Sequence, residues 1–202
     1  MKHTIAFFLC LLLIHSCQKK EYTMEDLVKN KGLFYLPNTQ TLFTGETTDY
    51  SVNLIINSFE QGQHIRVREF YSNGLPLIDF SLRNNEEHGY WREYYFSGQL
   101  KYEYYYVEGQ RQGKARFYYE NGQLQTESNY KDNILLNTYI SYYEDGSLNS
   151  KGDSLGNEWT YYKDGKLHRY RHQGGKETFY NEERKEVPYE EVEQNYKAQY
   201  NS

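Results

Sequence analysis

The residues of this chain that could do chemistry are four of its six histidines, a set of carboxylates and a column of tyrosines, and their spacing decides what each can do. His168 and His172 stand four apart, a zinc-binding spacing on a helix. On a strand the same interval spans about 13 Å, at roughly 3.3 Å per residue, too far for one ion. His64 and His88 occupy equivalent places one repeat apart, hence about 10 Å if strands lie about 4.8 Å apart. Neither pair is expected to chelate, so the chain is read without metal or cofactor. Glu93, Glu103, Glu127, Glu144 and Asp145 are candidate acids and bases. Glycoside hydrolysis needs two carboxyls at a defined separation, one with a raised pKa, and nothing in the spacing singles out such a pair. No nucleophile elbow or phosphate-binding glycine loop occurs either, so no enzymatic activity is expected. The tyrosines Tyr94, Tyr118, Tyr142 and Tyr161 remain as a possible binding surface. A tyrosine ring gives a large rigid contact with a hydrogen-bonding tip, suited to a protein partner or a sugar ring. Tyrosine is also a good strand former, so the same column reads as framework.

One further residue has reactive chemistry. Lys2 precedes an apolar run from Ile5 to Ile14, too short to span a bilayer, and Ile14-His15-Ser16-Cys17 follows. This segment resembles a bacterial lipobox. The resemblance implies that the Cys17 thiolate takes a lipid, that cleavage follows Ser16, and that acyl chains such as palmitate moor the mature chain to a membrane. A single chain anchors marginally, since each buried methylene contributes about 0.8 kcal/mol, and two or three give stable attachment. Residues 1–16 are therefore expected to be a lipoprotein signal peptide. The residue after Cys17 is Gln18, not Asp, which looks like an outer-membrane sorting context, on the periplasmic or the cell-surface face. Cys10 lies in the leader, so no disulfide framework is expected. The whole chain carries −5 at neutral pH and the leader contributes only Lys2. That sign argues against nucleic acid as a partner.

The elements that must position these groups follow from a repeat. Phe70-Tyr71, Tyr94-Tyr95, Tyr118-Tyr119, Tyr142-Tyr143 and Tyr161-Tyr162 each precede a turn dipeptide ending in Gly74, Gly98, Gly122, Gly146 and Gly165. Those glycines are 24, 24, 24 and 19 residues apart, a period that marks a repeat architecture. Phe179-Tyr180 repeats the pair, with Glu183 in the expected glycine slot. Leu100, Leu124, Leu148 and Leu167 each follow the glycine by two. Alternation with period two on both sides predicts a hairpin. If the turn dipeptides are two-residue type I′ loops, Tyr95 faces Leu100, Glu93 faces Tyr102 and Trp91 faces Tyr104. One face then carries Trp91, Tyr95, Leu100, Tyr104 and Tyr106 and is expected to be the better buried. The other carries Arg92, Tyr94, Lys101 and Glu103, then Arg116, Tyr118, Gln123 and Glu127. Gly109…Gly113 recurs as Gly152…Gly156, with Asn85…Gly89 and Asn133…Asn137 in the same slots, and predicts the second turn. The 19-residue unit should shorten one arm near Ser147 to Asp153.

The expected fold is therefore all-β, an elongated twisted antiparallel sheet of stacked β-hairpin repeats over residues 32–183. A polar tether with a short helix capped by Thr23 covers 17–31, and a polar tail, frayed or partly helical, covers 184–202. Leu42-Phe43-Thr44-Gly45, the Tyr-Tyr-x-(Asn/Asp)-Gly-x-Leu units and the Gly-x-x-x-Gly segments resemble the MORN-repeat variant proteins of the YwqK-like family. Pro76 stands in place of the leucine, and Ala115 and Tyr139 stand where Trp91 does. The resemblance implies stacked MORN-like hairpins, and members are often labelled antitoxin components. The expected function is a non-enzymatic, membrane-anchored repeat lipoprotein whose sheet engages another protein. The alternatives are a carbohydrate-binding module with a tyrosine platform and an antitoxin-like inhibitor of a partner protein.

Overall fold

The computed structural model describes residues 20–181 and 183–191. The expected signal peptide, Cys17 and most of the C-terminal tail lie outside them. A single turn of 3-10 helix, Met24–Asp26, leads into a small hairpin, β1 (Val28–Asn30) and β2 (Leu33–Tyr35). The long sheet begins with β3 (Gly45–Tyr50), β4 (Leu54–Glu60), β5 (Gln63–Phe70), β6 (Pro76–Arg83), β7 (Glu86–Tyr94) and β8 (Leu100–Val107). It continues through β9 (Gln110–Arg111), β10 (Gly113–Tyr118), β11 (Leu124–Lys131) and β12 (Ile134–Tyr142). It closes with β13 (Leu148–Gly152), β14 (Glu158–Tyr161), β15 (Leu167–Arg171), β16 (Glu177–Tyr180) and β17 (Glu186–Val187). Strands pair antiparallel in chain order from β3 to β17, with β9 attached to β8, so the 15-stranded sheet is an open row of hairpins. The all-β repeat expectation holds.

The two kinds of turn sit at opposite ends of the strands, and their chemistry is the reverse of the sequence expectation. At the Tyr-Tyr end only the glycine is left-handed: Gly98 has φ 86° while Ser97 is not among the positive-φ residues. Gly98 N–H donates to the Tyr95 carbonyl at 2.8 Å and Tyr95 N–H to that of Gln99 at 2.8 Å, a three-residue loop with a glycine bulge. Asn and Asp occur here because their side-chain oxygens accept the backbone N–H two residues on. Asn73 accepts from Leu75 at 3.0 Å, Asn121 from Gln123 at 2.9 Å, Asp145 from Ser147 at 2.9 Å and Asp164 from Lys166 at 3.0 Å. The type I′ geometry lies at the other end, where both central residues have positive φ: Gln61-Gly62, Asn84-Asn85, Glu108-Gly109 and Asp132-Asn133.

The bulge changes register. Glu93 faces Tyr102 and Trp91 faces Tyr104 as expected, but Leu100 faces Tyr94, not Tyr95. Lys101 is the extra residue, and it joins the face of Glu93, whose carboxylate accepts from its Nζ at 2.7 Å. Leu100 crosses to the face of Arg92 and Tyr94.

The second tyrosine of each pair then ties its unit to the next. Its hydroxyl donates to the carbonyl of the following unit's first tyrosine: Tyr71 to Tyr94 at 2.7 Å, Tyr95 to Tyr118 at 2.8 Å and Tyr119 to Tyr142 at 3.0 Å. The row continues with Tyr143 to Tyr161 at 2.9 Å and Tyr162 to Tyr180 at 3.2 Å. Tyr180 thus holds the slot of a first tyrosine, and the left-handed position of the last turn is Arg184, φ 63°, not Glu183.

The sheet narrows along its length. β7 has nine residues and β8 eight, against five in β13 and four in β14. The 19-residue unit has lost its type I′ tip and turns instead through Asp153–Asn157, with Gly156 N–H donating to the Asp153 carbonyl at 3.1 Å. Gly152 is therefore a strand residue, not the partner of Gly109. In the longer units each tip docks on the one before, Gly109 N–H on the Glu87 carbonyl at 3.0 Å and Asn133 N–H on that of Arg111 at 3.2 Å. Leu135 is the corresponding residue of the last long tip.

Among the described residues a compact core forms only at the start. Leu27, Phe34, Phe43 and Phe59 are buried together, with Tyr22, Met24 and Leu36 against them. Thr23 caps the 3-10 turn, its N–H donating to the Asp26 carboxylate at 2.8 Å. The turn ends before Leu27, which enters the core, and Val28 opens β1. Tyr22 also bridges Thr47 of β3, and Thr48 N–H donates to its carbonyl at 2.9 Å, which covers an otherwise open strand edge.

A Cβ on Gly74 (φ 82°) meets nothing within 4 Å, whereas one on Gly98 (φ 86°) falls 3.2 Å from Leu75. Gly74→Ala is expected to lower stability by about 1–2 kcal/mol from backbone strain alone and Gly98→Ala by more. Urea unfolding of the two variants gives the order, and equal losses would remove the role assigned to Leu75.

Candidate functional site

The two faces of the sheet carry different chemistry. On one, a row of alternating charge runs straight across the strands: Arg68, Asp79, Arg92, Glu103, Arg116 and Glu127 are successive cross-strand partners. Arg92 Nε donates to Glu103 at 2.7 Å and Arg116 Nε to Glu127 at 2.8 Å, while Arg116 also reaches Glu103 at 3.5 Å. Arg66 reaches sideways to Asp79 with two bonds, at 2.8 and 2.6 Å. Lys114 lies 2.6 Å from Glu127. Opposite charges set directly across a sheet attract, and this row neutralises itself. Beyond it Ile140 interrupts the charges, and Lys151 lies over the Trp159 ring at 5.2 Å.

The tyrosines singled out from sequence lie two residues along on this same face. Tyr94, Tyr118, Tyr142 and Tyr161 are half-buried, and each faces the leucine of its own turn: Leu100, Leu124, Leu148 and Leu167. They form a Tyr–Leu stripe beside the charged row. The Tyr94 hydroxyl is pushed up, first by burial and then by Asp79 and Glu103, against the pull of Arg92.

Four of the five candidate acids are committed elsewhere. Glu103 and Glu127 are bound to bases, Glu93 to Lys101, and Asp145 to Ser147. Among the described residues no group of three His, Cys, Asp or Glu side chains is placed to hold a metal. His64 stacks on Phe59 at 4.7 Å, His168 packs on Tyr162 at 4.6 Å, and His172 contacts the Gln173 carbonyl at 2.7 Å. Burial pushes the His64 and His168 imidazoles below their ordinary range.

The opposite face holds a feature that sequence reasoning did not single out. Trp91, Glu93, Tyr102, Tyr104, Tyr106, Arg111 and Phe117 line an open hollow of about 330 Å³. Its floor is a chain of ring contacts: Trp91 with Tyr104 at 6.0 Å, Tyr102 with Phe117 at 4.5 Å, and Tyr104 with Phe117 at 5.9 Å. Ala115 takes the Trp91 slot in the next unit and is buried. A second bulky ring there would occupy the space beside Tyr104. The expected grouping of Trp91, Tyr104 and Tyr106 on one face is correct, but the face is open because, among the described residues, no second layer covers the sheet. The signal available from sequence was the Trp-to-Ala change at equivalent slots, which gains meaning only once neighbouring units are placed side by side.

The model of the MORN repeat variant family matches residues 87–108 and 111–132. These two segments supply β7 to β11, the strands that build the hollow and four of the six members of the charged row. The chain is thus a β-hairpin repeat protein with two units of MORN type. A search of curated proteins finds no match.

The Glu127 carboxyl is a sensitive point of the charged row. Burial alone would raise it, but hydrogen bonds from Lys114 and Arg116 outweigh burial and hold it below the usual carboxylate value of 4.5. A lowered folded-state pKa contributes stability that is complete above the unfolded value and is lost as pH falls through the folded one. Stability is expected to decline below about pH 4.5 and Glu127→Gln to flatten that decline. Unfolding midpoints measured across the acid range check this, and an unchanged slope in the variant would contradict it.

Proposed function

We propose that this chain is a non-enzymatic repeat protein, tethered to a membrane through lipid on Cys17, that holds a protein partner in the aromatic hollow of its sheet. The observation that carries this reading is the contrast between the faces. The charged row satisfies its own charges, while the hollow leaves aromatic surface open, and aromatic clusters of this kind anchor protein interfaces. An antitoxin-like role is the same contact with an inhibitory outcome. In this reading the anchor places the sheet at the outer membrane.

The floor of flat rings with Glu93 and Arg111 at its rim also favours a second reading, stacking of a sugar ring. Chemical crosslinking in intact cells, followed by purification, separates the two. Under the leading reading one defined protein is recovered with the unaltered chain, is lost with Trp91→Ala, Tyr104→Ala, and is retained with Tyr118→Ala, Tyr142→Ala on the opposite face. Loss with the second pair alone would move the site to the tyrosine stripe. A glycan-array signal that vanishes with Trp91→Ala would favour the sugar.

The anchor has its own test. Cys17→Ala is expected to abolish labelling by radioactive palmitate and to release the chain from the membrane fraction. Unchanged membrane retention without label would overturn it.

A further inference from the structure

Arg111 closes one end of the hollow and is the most constrained cation on that face. Its guanidinium lies 4.6 Å from the Tyr104 ring centre, 5.6 Å from that of Tyr130 and 5.9 Å from that of Tyr106. Its Nε donates to the Tyr106 hydroxyl at 2.9 Å, which holds the group strongly protonated. The backbone is fixed as well: Arg111 N–H donates to the Asn133 side-chain oxygen at 2.8 Å, and its carbonyl accepts from Asn133 N–H at 3.2 Å. Ring faces attract a cation and strip part of its water, so this side chain is aimed before any ligand arrives.

What Arg111 lacks is an anion. Arg66, Arg68, Arg92, Arg116, Arg169 and Arg171 each reach a carboxylate. Among the described residues Arg111 has none within 4.0 Å. At the other end, Lys101 lies 4.7 Å over the Tyr102 ring and is already paired with Glu93. Glu93 is the one carboxylate of the lining and is held by Lys101, which leaves Arg111 as the charge of the hollow without a carboxylate partner. Guanidinium is planar and binds a carboxylate through two parallel bonds, and the terminal nitrogens of Arg111 make no hydrogen bond among the described residues.

We propose that the hollow recognises an acidic side chain of the partner, its carboxylate on Arg111 and a neighbouring aromatic side chain on Trp91 and Phe117. This rests on the reading that the hollow receives a protein. The unpaired charge and the planar shape of Arg111 select an acidic residue next to a ring over a basic or purely apolar segment.

The chain has two tryptophans, so a Trp159→Phe background leaves Trp91 as the reporter. Its fluorescence is titrated with a synthetic peptide of alternating Glu and Phe and with the same peptide carrying Gln for Glu. The Glu peptide is expected to saturate the signal at least about tenfold more tightly, as a charge-assisted bond implies. Arg111→Gln should reduce it to the level of the Gln peptide, Arg111→Lys should retain part of the preference, and Arg83→Gln, at an exposed position, should change little. Equal affinity for the two peptides, no binding by either, or an equal loss in Arg83→Gln would each overturn the proposal. Crosslinking separates this from the broader reading. A partner lost with Trp91→Ala but kept with Arg111→Gln sinks the acidic recognition alone, and a partner kept with both sinks the hollow as its site.

Discussion

A single-layer sheet has no second layer against which to bury its side chains, so its cohesion must come from contacts that run along the sheet. The tyrosine hydroxyl donated from one unit to the backbone of the next is the contact on which the remainder depends. It satisfies a carbonyl at the turn end of each unit, fixes the distance between neighbouring hairpins, and repeats at every step from Tyr71 to Tyr162. Each such bond contributes about 0.5–1.5 kcal/mol net, a modest amount that becomes decisive by repetition. Stability in such an array is a sum of unit and interface contributions, and the compact core around Phe34, Phe43 and Phe59 seals the first edge.

The same geometry explains how the two faces came to differ. With every strand antiparallel to its neighbour and every unit in the same register, equivalent residues line up in rows. A row that alternates Arg with Asp or Glu is self-neutralising, which lets charged side chains sit half-buried without isolated charge. A row in which bulky rings meet one alanine leaves a hollow. Arg111 reaches that hollow because the type I′ tips, by docking on one another, hold its backbone in place. The 19-residue unit has no such tip to hold a residue in the place of Arg111.

Repetition was legible in sequence because it is written in local chemistry. Tyr-Tyr, the turn dipeptide and the following leucine recur at fixed intervals, and alternation around them means strands. The turn type was less legible. Asn-Gly and Asp-Gly favour type I′ loops, yet here the Asn and Asp side chains accept the backbone N–H two residues on, so only the glycine needs a left-handed conformation. One residue of extra loop moved Leu100 to the other face and brought Lys101 to Glu93. Glu103 and Glu127 stand in the sequence as candidate acids with no pair singled out, and their partners Arg92 and Arg116 emerge only when strands are paired. Tyr94, Tyr118, Tyr142 and Tyr161 were visible as a column, but their role as neighbours of leucines depends on the bulge.

By itself the amino-acid order determined the all-β class, the count and spacing of the hairpins, and the narrowing after Gly146, because period and alternation are properties of neighbours in the chain. Tertiary structure alone decided which residues from different units touch: the tyrosine-to-carbonyl ties, the charged row, and the pairing of Arg111 with Tyr104, Tyr106 and Tyr130. Those contacts depend on register between strands, and a shift of one residue exchanges the two faces. The local sequence leaves that choice to the packing of one unit on the next.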